Sequence, residues 1–88
     1  MYDIDIKPNL DKKLEKLIKK NRMQYEIVMK KIGEVIISPN RYKNLKKPLQ
    51  HLKRVHIDTH FVLTFSVEDK ANLVIFEDFD HHDKIYLN

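Results

Sequence analysis

The sequence predicts a small α+β domain in the order β-α-α-β-β-β, a twisted antiparallel sheet with a helical hairpin packed on one of its faces. Three observations lead there. Apolar residues recur at helical spacing between Leu10 and Ile36; they alternate with polar ones before Pro8 and again after Leu52; and no Gly/Ser-rich linker interrupts the 88 residues. A chain of that length buries only about 60–65% of its unfolded surface, enough for one core, so residues 1–88 read as a single domain.

Tyr2, Ile4 and Ile6 alternate with Asp3, Asp5 and Lys7, which predicts a strand with one buried face, ended by Pro8. Asn9 suits the N-cap of a first helix, in which Leu10, Leu14, Leu17 and Ile18 form an apolar stripe opposite the lysines. The rhythm breaks at Asn21 and Arg22, and Tyr25, Val28, Ile32, Val35 and Ile36 then carry a second helix as far as Ser38 and Pro39. Gly33, the only glycine, costs ~1 kcal/mol relative to alanine inside that helix and suits close packing; a phosphate-cradling loop would need more glycines. Residues 39–48, PNRYKNLKKP, are a basic loop bounded by prolines. Beyond it Val55 and Ile57 alternate with Arg54 and His56, and Phe61, Leu63, Phe65 and Val67 alternate with His60, Val62, Thr64 and Ser66. The apolar run Leu73–Phe76 follows a turn, so three strands with short connections predict an antiparallel meander.

A composition of 42% hydrophobic and 34% charged residues suits a soluble globular chain, and no apolar stretch approaches the ~20 residues that cross a bilayer. Asp3, Asp5 and Asp11 leave no continuous apolar segment for a signal peptide, and without cysteine for disulfides the expected compartment is the cytoplasm. The net charge of +4 conceals a segregation. Residues 39–54 hold Arg41, Lys43, Lys46, Lys47, Lys53 and Arg54 with no acid, while residues 68–80 hold Glu68, Asp69, Glu77, Asp78 and Asp80 against Lys70 alone. The first block points to a polyanion-facing surface, although solvated charge on an ordinary surface has the same composition.

All five histidines, His51, His56, His60, His81 and His82, lie in the second half. In the strand ending at Ile57, Arg54 and His56 point to one face while Val55 and Ile57 point to the other, so a cation and a titratable imidazole share the side opposite the core. The ligand-rich stretch EDFDHHDKIY, residues 77–86, invites a metal reading. Consecutive strand residues face opposite ways, however, and no H-x-x-x-H or H-E-x-x-H pair occurs, so neither a metal nor another cofactor is expected. Nor does a serine sit on a strand-to-helix elbow, since Ser38 precedes Pro39 and Ser66 lies in a strand. A nucleic-acid reading uses more of the residues present. Metal-free cleavage of RNA needs a base for the 2′-OH, an acid for the leaving oxygen and cations for the charge on phosphorus, and histidine with lysine or arginine supplies these. Tyr86 and Phe61 are aromatic platforms on which a base can stack; equally, Phe61 suits a core and Tyr86 a packed chain end.

The order β-α-α-β-β-β and the segments KPLQHLKRVHIDTHFVLTFSV, EDK and LVIFEDFDHHDKIY resemble the RelE/ParE superfamily of toxins from toxin-antitoxin pairs. PLQ, H-I, FVLTF and a closing histidine followed four residues later by an aromatic are similar to the YafQ branch. That resemblance implies a RelE-like fold and a ribosome-dependent endoribonuclease that cuts mRNA in the A site. It also implies that His82 and His56 share the general acid and base roles between them, with Arg54, Lys47 and Lys53 as stabilisers of phosphate charge and Tyr86 as the aromatic that orients or stacks on the codon. Phe61 would contact the base, and Lys46 and Arg41 would extend the RNA-binding surface.

The chain departs from the pattern at Asp78, often arginine in these ribonucleases, and at His60, which stands where YafQ-like chains carry an acid. An acid at 78 would repel RNA, which keeps open a ParE-like, non-catalytic inhibitor of gyrase or a family member that only binds its antitoxin. In every case the resemblance implies a cognate antitoxin as partner, held by strand addition at an open sheet edge or by a helix on the surface.

Overall fold

The computed structural model describes residues 1–86. Strand β1 (Asp3–Ile6) leads into helices α1 (Pro8–Lys20) and α2 (Arg22–Val35). Strands β2 (Lys53–Ile57), β3 (Phe61–Glu68) and β4 (Leu73–His81) follow, and the short helix α3 (His82–Tyr86) ends the described chain. The sheet has the order β1-β4-β3-β2; the three later strands form the antiparallel meander the sequence predicts, whereas β1 pairs with β4 in parallel. The sheet is therefore mixed at one edge.

The direction of β1 follows from the path of the helices. After Lys7, whose N–H bonds the carbonyl of Phe76, α1 packs Leu10 and Leu14 onto the sheet and lays Lys13 beside Asp78 and Asp80. Gln24, at the start of α2, reaches Asp58 beyond the end of β2. Helix α2 then returns, so that the Ile36 carbonyl accepts from the N–H of Tyr2, where β1 begins. Starting from that end, β2 runs parallel to β1, and two reversals later β4 does too.

Asn21 divides the helices. Its extended backbone (φ −155°) ends α1, and its side chain accepts from the N–H of Gln24 at 3.1 Å to cap α2. Helix α1 starts one residue before the expected cap, with Pro8 in the first turn where no N–H is needed. Asn9 instead donates to the Glu77 carbonyl. Gly33 faces open space, with nothing within 4 Å of where a Cβ would stand, so close packing does not explain it.

The core lies between the hairpin and the sheet, where Leu10, Leu14, Val28 and Ile32 meet Val55, Ile57, Leu63, Phe65 and Phe76. A bulge gives β4 one more residue than β3 between the pairs Thr64↔Asp78 and Phe65↔Phe76, so Phe76 and Phe79, three positions apart, both turn inward. Phe61 stacks on Phe79 at 5.2 Å and Phe65 meets Phe76 at 5.7 Å. Below the bulge β1 has ended, leaving one edge of β4 without a partner strand among the described residues. Side chains close it. Asp78 and Asp80 accept from the N–H groups of Phe79 and His81, while Asn9 and Lys13 donate to the carbonyls of Glu77 and Phe79. This part of the edge is thus already engaged, and an incoming strand would have to displace those bonds.

Lys13 joins both carboxylates, at 2.7 Å to Asp78 and 3.0 Å to Asp80. Burial disfavours its ammonium, but the hydrogen bonds outweigh that and its pKa is raised. Burial likewise disfavours the Asp80 carboxylate, and bonds from Lys13 and the His81 N–H more than compensate, so its pKa is lowered. At the far end of the sheet, hydrogen bonds from Asn40 and Tyr2 hold the exposed Asp69 carboxyl below its usual range.

Candidate active site

Val62 projects from β3 to the side away from the hairpin, between the inward-facing Phe61 and Leu63. There it is covered by Leu45 from the basic loop and Ile85 from α3, with Leu49 and Leu52 at the margin. This second, smaller core seats both covering segments. The loop is fastened to β2 by Arg54 N–H to the Lys43 carbonyl and Leu45 N–H to the Leu52 carbonyl. Lys53 adds bonds to the Tyr42 carbonyl at 3.1 Å and to Asn44 at 3.0 Å. Within the loop Asn44 donates to the Gln50 carbonyl, and the Lys47–Pro48 bond is cis.

Strand β4 ends at His81, and the His82 N–H closes onto the His60 carbonyl at 2.7 Å as the chain turns into α3. Four residues apart on a helix, His82 and Tyr86 share a side; their rings meet edge to face at 5.0 Å. Tyr86 Oη accepts from Arg54 Nη1 at 3.2 Å, which ties α3 to β2. His82 Nδ1 lies 3.0 Å from a carboxylate oxygen of Asp83.

Arg54, His56, His82 and Tyr86 thereby line one open cleft of about 520 Å³, together with Lys43, Asn44, Leu45 and Lys46. No carboxylate is among the described residues that line it. Arg41 lies beside it, in a depression of about 230 Å³ that shares Lys43, Arg54 and His56; its guanidinium sits over the Tyr42 ring and donates to the Tyr42 hydroxyl.

Six of the nine residues expected from the sequence are thus brought together, Arg41 at the margin. Three are not. Lys53 alternates with Arg54, falls on the other face and engages its ammonium in the loop. Lys47 is exposed on the loop and does not line the cleft. Phe61 faces the hairpin, in a separate cleft of about 450 Å³ with Lys16, Leu17, Lys20 and Gln24 that neither His56 nor His82 lines. Asp78, expected to repel RNA, is paired with Lys13 and lies outside the histidine cleft. Lys43, Asn44 and Asp83 were not among the expected site residues; only the charge of the basic block pointed to Lys43. Among the described residues no group of three or more histidines, aspartates or glutamates is placed to hold a metal ion.

No family model matches the chain. Over 86 residues, 98% of its length, it is 51% identical to a Methanocaldococcus jannaschii protein named "Putative toxin RelE4" and covers 92% of that protein. The chain belongs to the RelE toxin superfamily. A Methanosarcina mazei protein without a described function shares 57% identity across its whole length, again over 98% of this RelE-superfamily chain. Among solved structures, the isolated Escherichia coli RelE toxin superposes with a TM-score of 0.76 at 21% identity, over 99% of this chain and 93% of that one. The Mycobacterium tuberculosis RelBE2 toxin-antitoxin complex gives 0.73 at 21% identity, over 91% and 90%. At such identities the likeness is one of fold, and it establishes the mixed sheet with its helical hairpin as a RelE fold.

Proposed function

We propose that this chain is the toxin of a type II toxin-antitoxin pair and a ribosome-dependent endoribonuclease that cuts mRNA in the A site. The observation that carries the reading is the cleft itself, in which two imidazoles, a guanidinium and a phenol converge among lysines, with no carboxylate among the described lining residues. Lys43 and Lys46 neutralise flanking phosphates, and Arg54 stabilises the charge that builds on the scissile one. One imidazole takes the proton of the 2′-OH as that oxygen attacks phosphorus; the other gives a proton to the departing 5′ oxygen as its bond to phosphorus breaks. The products are a 2′,3′-cyclic phosphate and a 5′-hydroxyl. Tyr86, held by Arg54, offers its ring to a codon base. These side chains fill every role the reaction needs, so a chelator should leave activity intact. The protein partners in this reading are the ribosome, in the cytoplasm, and a cognate antitoxin that covers the toxin.

The test supplies the purified protein to programmed ribosomes and maps mRNA ends by primer extension, beside His82→Ala and His56→Ala. A codon-dependent cut that each substitution slows by about 10²-fold or more is expected. Absence of a cut, or cutting indifferent to both substitutions, overturns the reading, and inhibition of gyrase supercoiling in a parallel assay would replace it.

A further inference from the structure

We propose that Asp83 sets the tautomers of the two histidines before it in opposite senses, with the proton of neutral His82 on Nδ1 and that of neutral His81 on Nε2. The assignment follows from what each atom can do. A carboxylate only accepts hydrogen bonds, so His82 Nδ1, 3.0 Å from Asp83 Oδ1, carries a proton. A backbone N–H only donates, so His81 Nδ1, which receives the Asp83 N–H at 3.3 Å, is bare. The second carboxylate oxygen of Asp83 stands off at 3.7 Å from that bare nitrogen.

The two rings then serve different surroundings. His81 is the last residue of β4, packed beside His60 at 5.7 Å and edge-on to Phe61 at 5.5 Å, away from the cleft. His82 opens α3 and lines the cleft. With its proton fixed on Nδ1, neutral His82 presents a bare Nε2, the form required of a proton acceptor, whereas an unrestrained neutral imidazole favours the opposite form. Resting on the endoribonuclease reading, the inference makes His82 the general base and leaves the acid to His56. Asp83 is then a positioning residue, whose carboxylate also stabilises the imidazolium formed when His82 accepts the 2′-OH proton.

Histidine-selective ¹⁵N–¹H correlation spectra of the labelled protein at about pH 8.5, where ordinary imidazoles are neutral, read the tautomers directly. The expected result is a pyrrole-type Nδ1 with a pyridine-type Nε2 for His82 and the reverse for His81. Asp83→Ala should move His82 to the Nε2–H form. Asp83→Asn, whose carbonyl oxygen still accepts, should keep it on Nδ1. His81, bonded to a backbone N–H that both variants retain, should not change in either. Asp83 is exposed, so both replacements are compatible with folding, which the amide spectrum checks. On programmed ribosomes kcat should fall about tenfold in Asp83→Ala and largely recover in Asp83→Asn. An Nε2–H form of His82 in the unaltered protein, or a tautomer indifferent to Asp83→Ala, overturns the assignment; a switched tautomer with unchanged cleavage overturns the positioning role. If the tautomers behave as expected and even the unaltered protein cuts nothing, the endoribonuclease reading fails and the assignment stands.

Discussion

Asp78 and Asp80 lie 2.7 and 3.0 Å from a single ammonium, that of Lys13, whereas Arg54, Lys43 and Lys46 line a cleft with no carboxylate among its described lining residues. Both regions belong to the same end of the same sheet and both are dense in charge. In the acidic edge, every carboxylate at 78 and 80 also accepts from a backbone N–H, so charge serves to close strand β4. In the cleft, the Arg54 guanidinium meets only the Tyr86 hydroxyl at hydrogen-bond distance among the described residues. Charge that is compensated within the fold stabilises it; charge left to solvent is available for a polyanion.

The largest effect that would break this contrast is catalytic. Arg54→Ala should lower the cleavage rate by about 10²-fold, the usual loss when a preorganised charge is removed, and Asp78→Asn should leave the rate unchanged. Lys46→Ala should flatten the slope of log affinity against log salt for single-stranded RNA by about 0.7, as one lost phosphate contact does. Equal responses on the two sides would dissolve the distinction. Phe61→Ala tests whether the hairpin side takes part. Losing its packing on Phe79 should cost about 2 kcal/mol in chemical denaturation without weakening RNA binding by the folded protein.

Lys13→Met should lower stability at neutral pH by about 1 kcal/mol, or Tm by about 5 °C, since these partly exposed pairs are screened by solvent. Its pH dependence has a definite sign. The Asp80 pKa is lowered in the fold, so its contribution is complete above an ordinary carboxylate value of about 4 and is lost as pH falls through the lowered one. The Lys13 pKa is raised, so its contribution is complete below the ordinary ammonium value and is lost as pH rises through the raised one. A melting curve against pH should therefore flatten at both extremes in the variant. The smallest expected effect lies outside both regions: Gly33→Ala should stabilise by about 0.5–1 kcal/mol, because a methyl group meets nothing there.

Period-2 alternation already places Arg54 and His56 on one face and separates Lys53 from them, and it sets Phe61 with Leu63 and Phe65 on the core side. Grouping Lys53 with the histidines follows the family resemblance, and grouping Phe61 with them follows both that and its suitability for stacking a base; the structure sides with the alternation in each case. Three features have no local signature. The bulge in β4 depends on register against β3, and the parallel run of β1 depends on α1 crossing the sheet. Helix α3 is five residues long, too short for a period to show, so the stretch DHHDKIY reads as well as strand.

The segregation of charge, the four strands and the two long helices, and the residue types able to move a proton and bind phosphate are all legible along the chain. That residues 54–56 and 82–86 share a cleft emerges only when the chain folds. That juxtaposition rests on Leu45, Val62 and Ile85 packing together across long stretches of chain. Such contacts are gained only after the entropy of closing the intervening loops has been overcome, and no pattern within either segment encodes its partner.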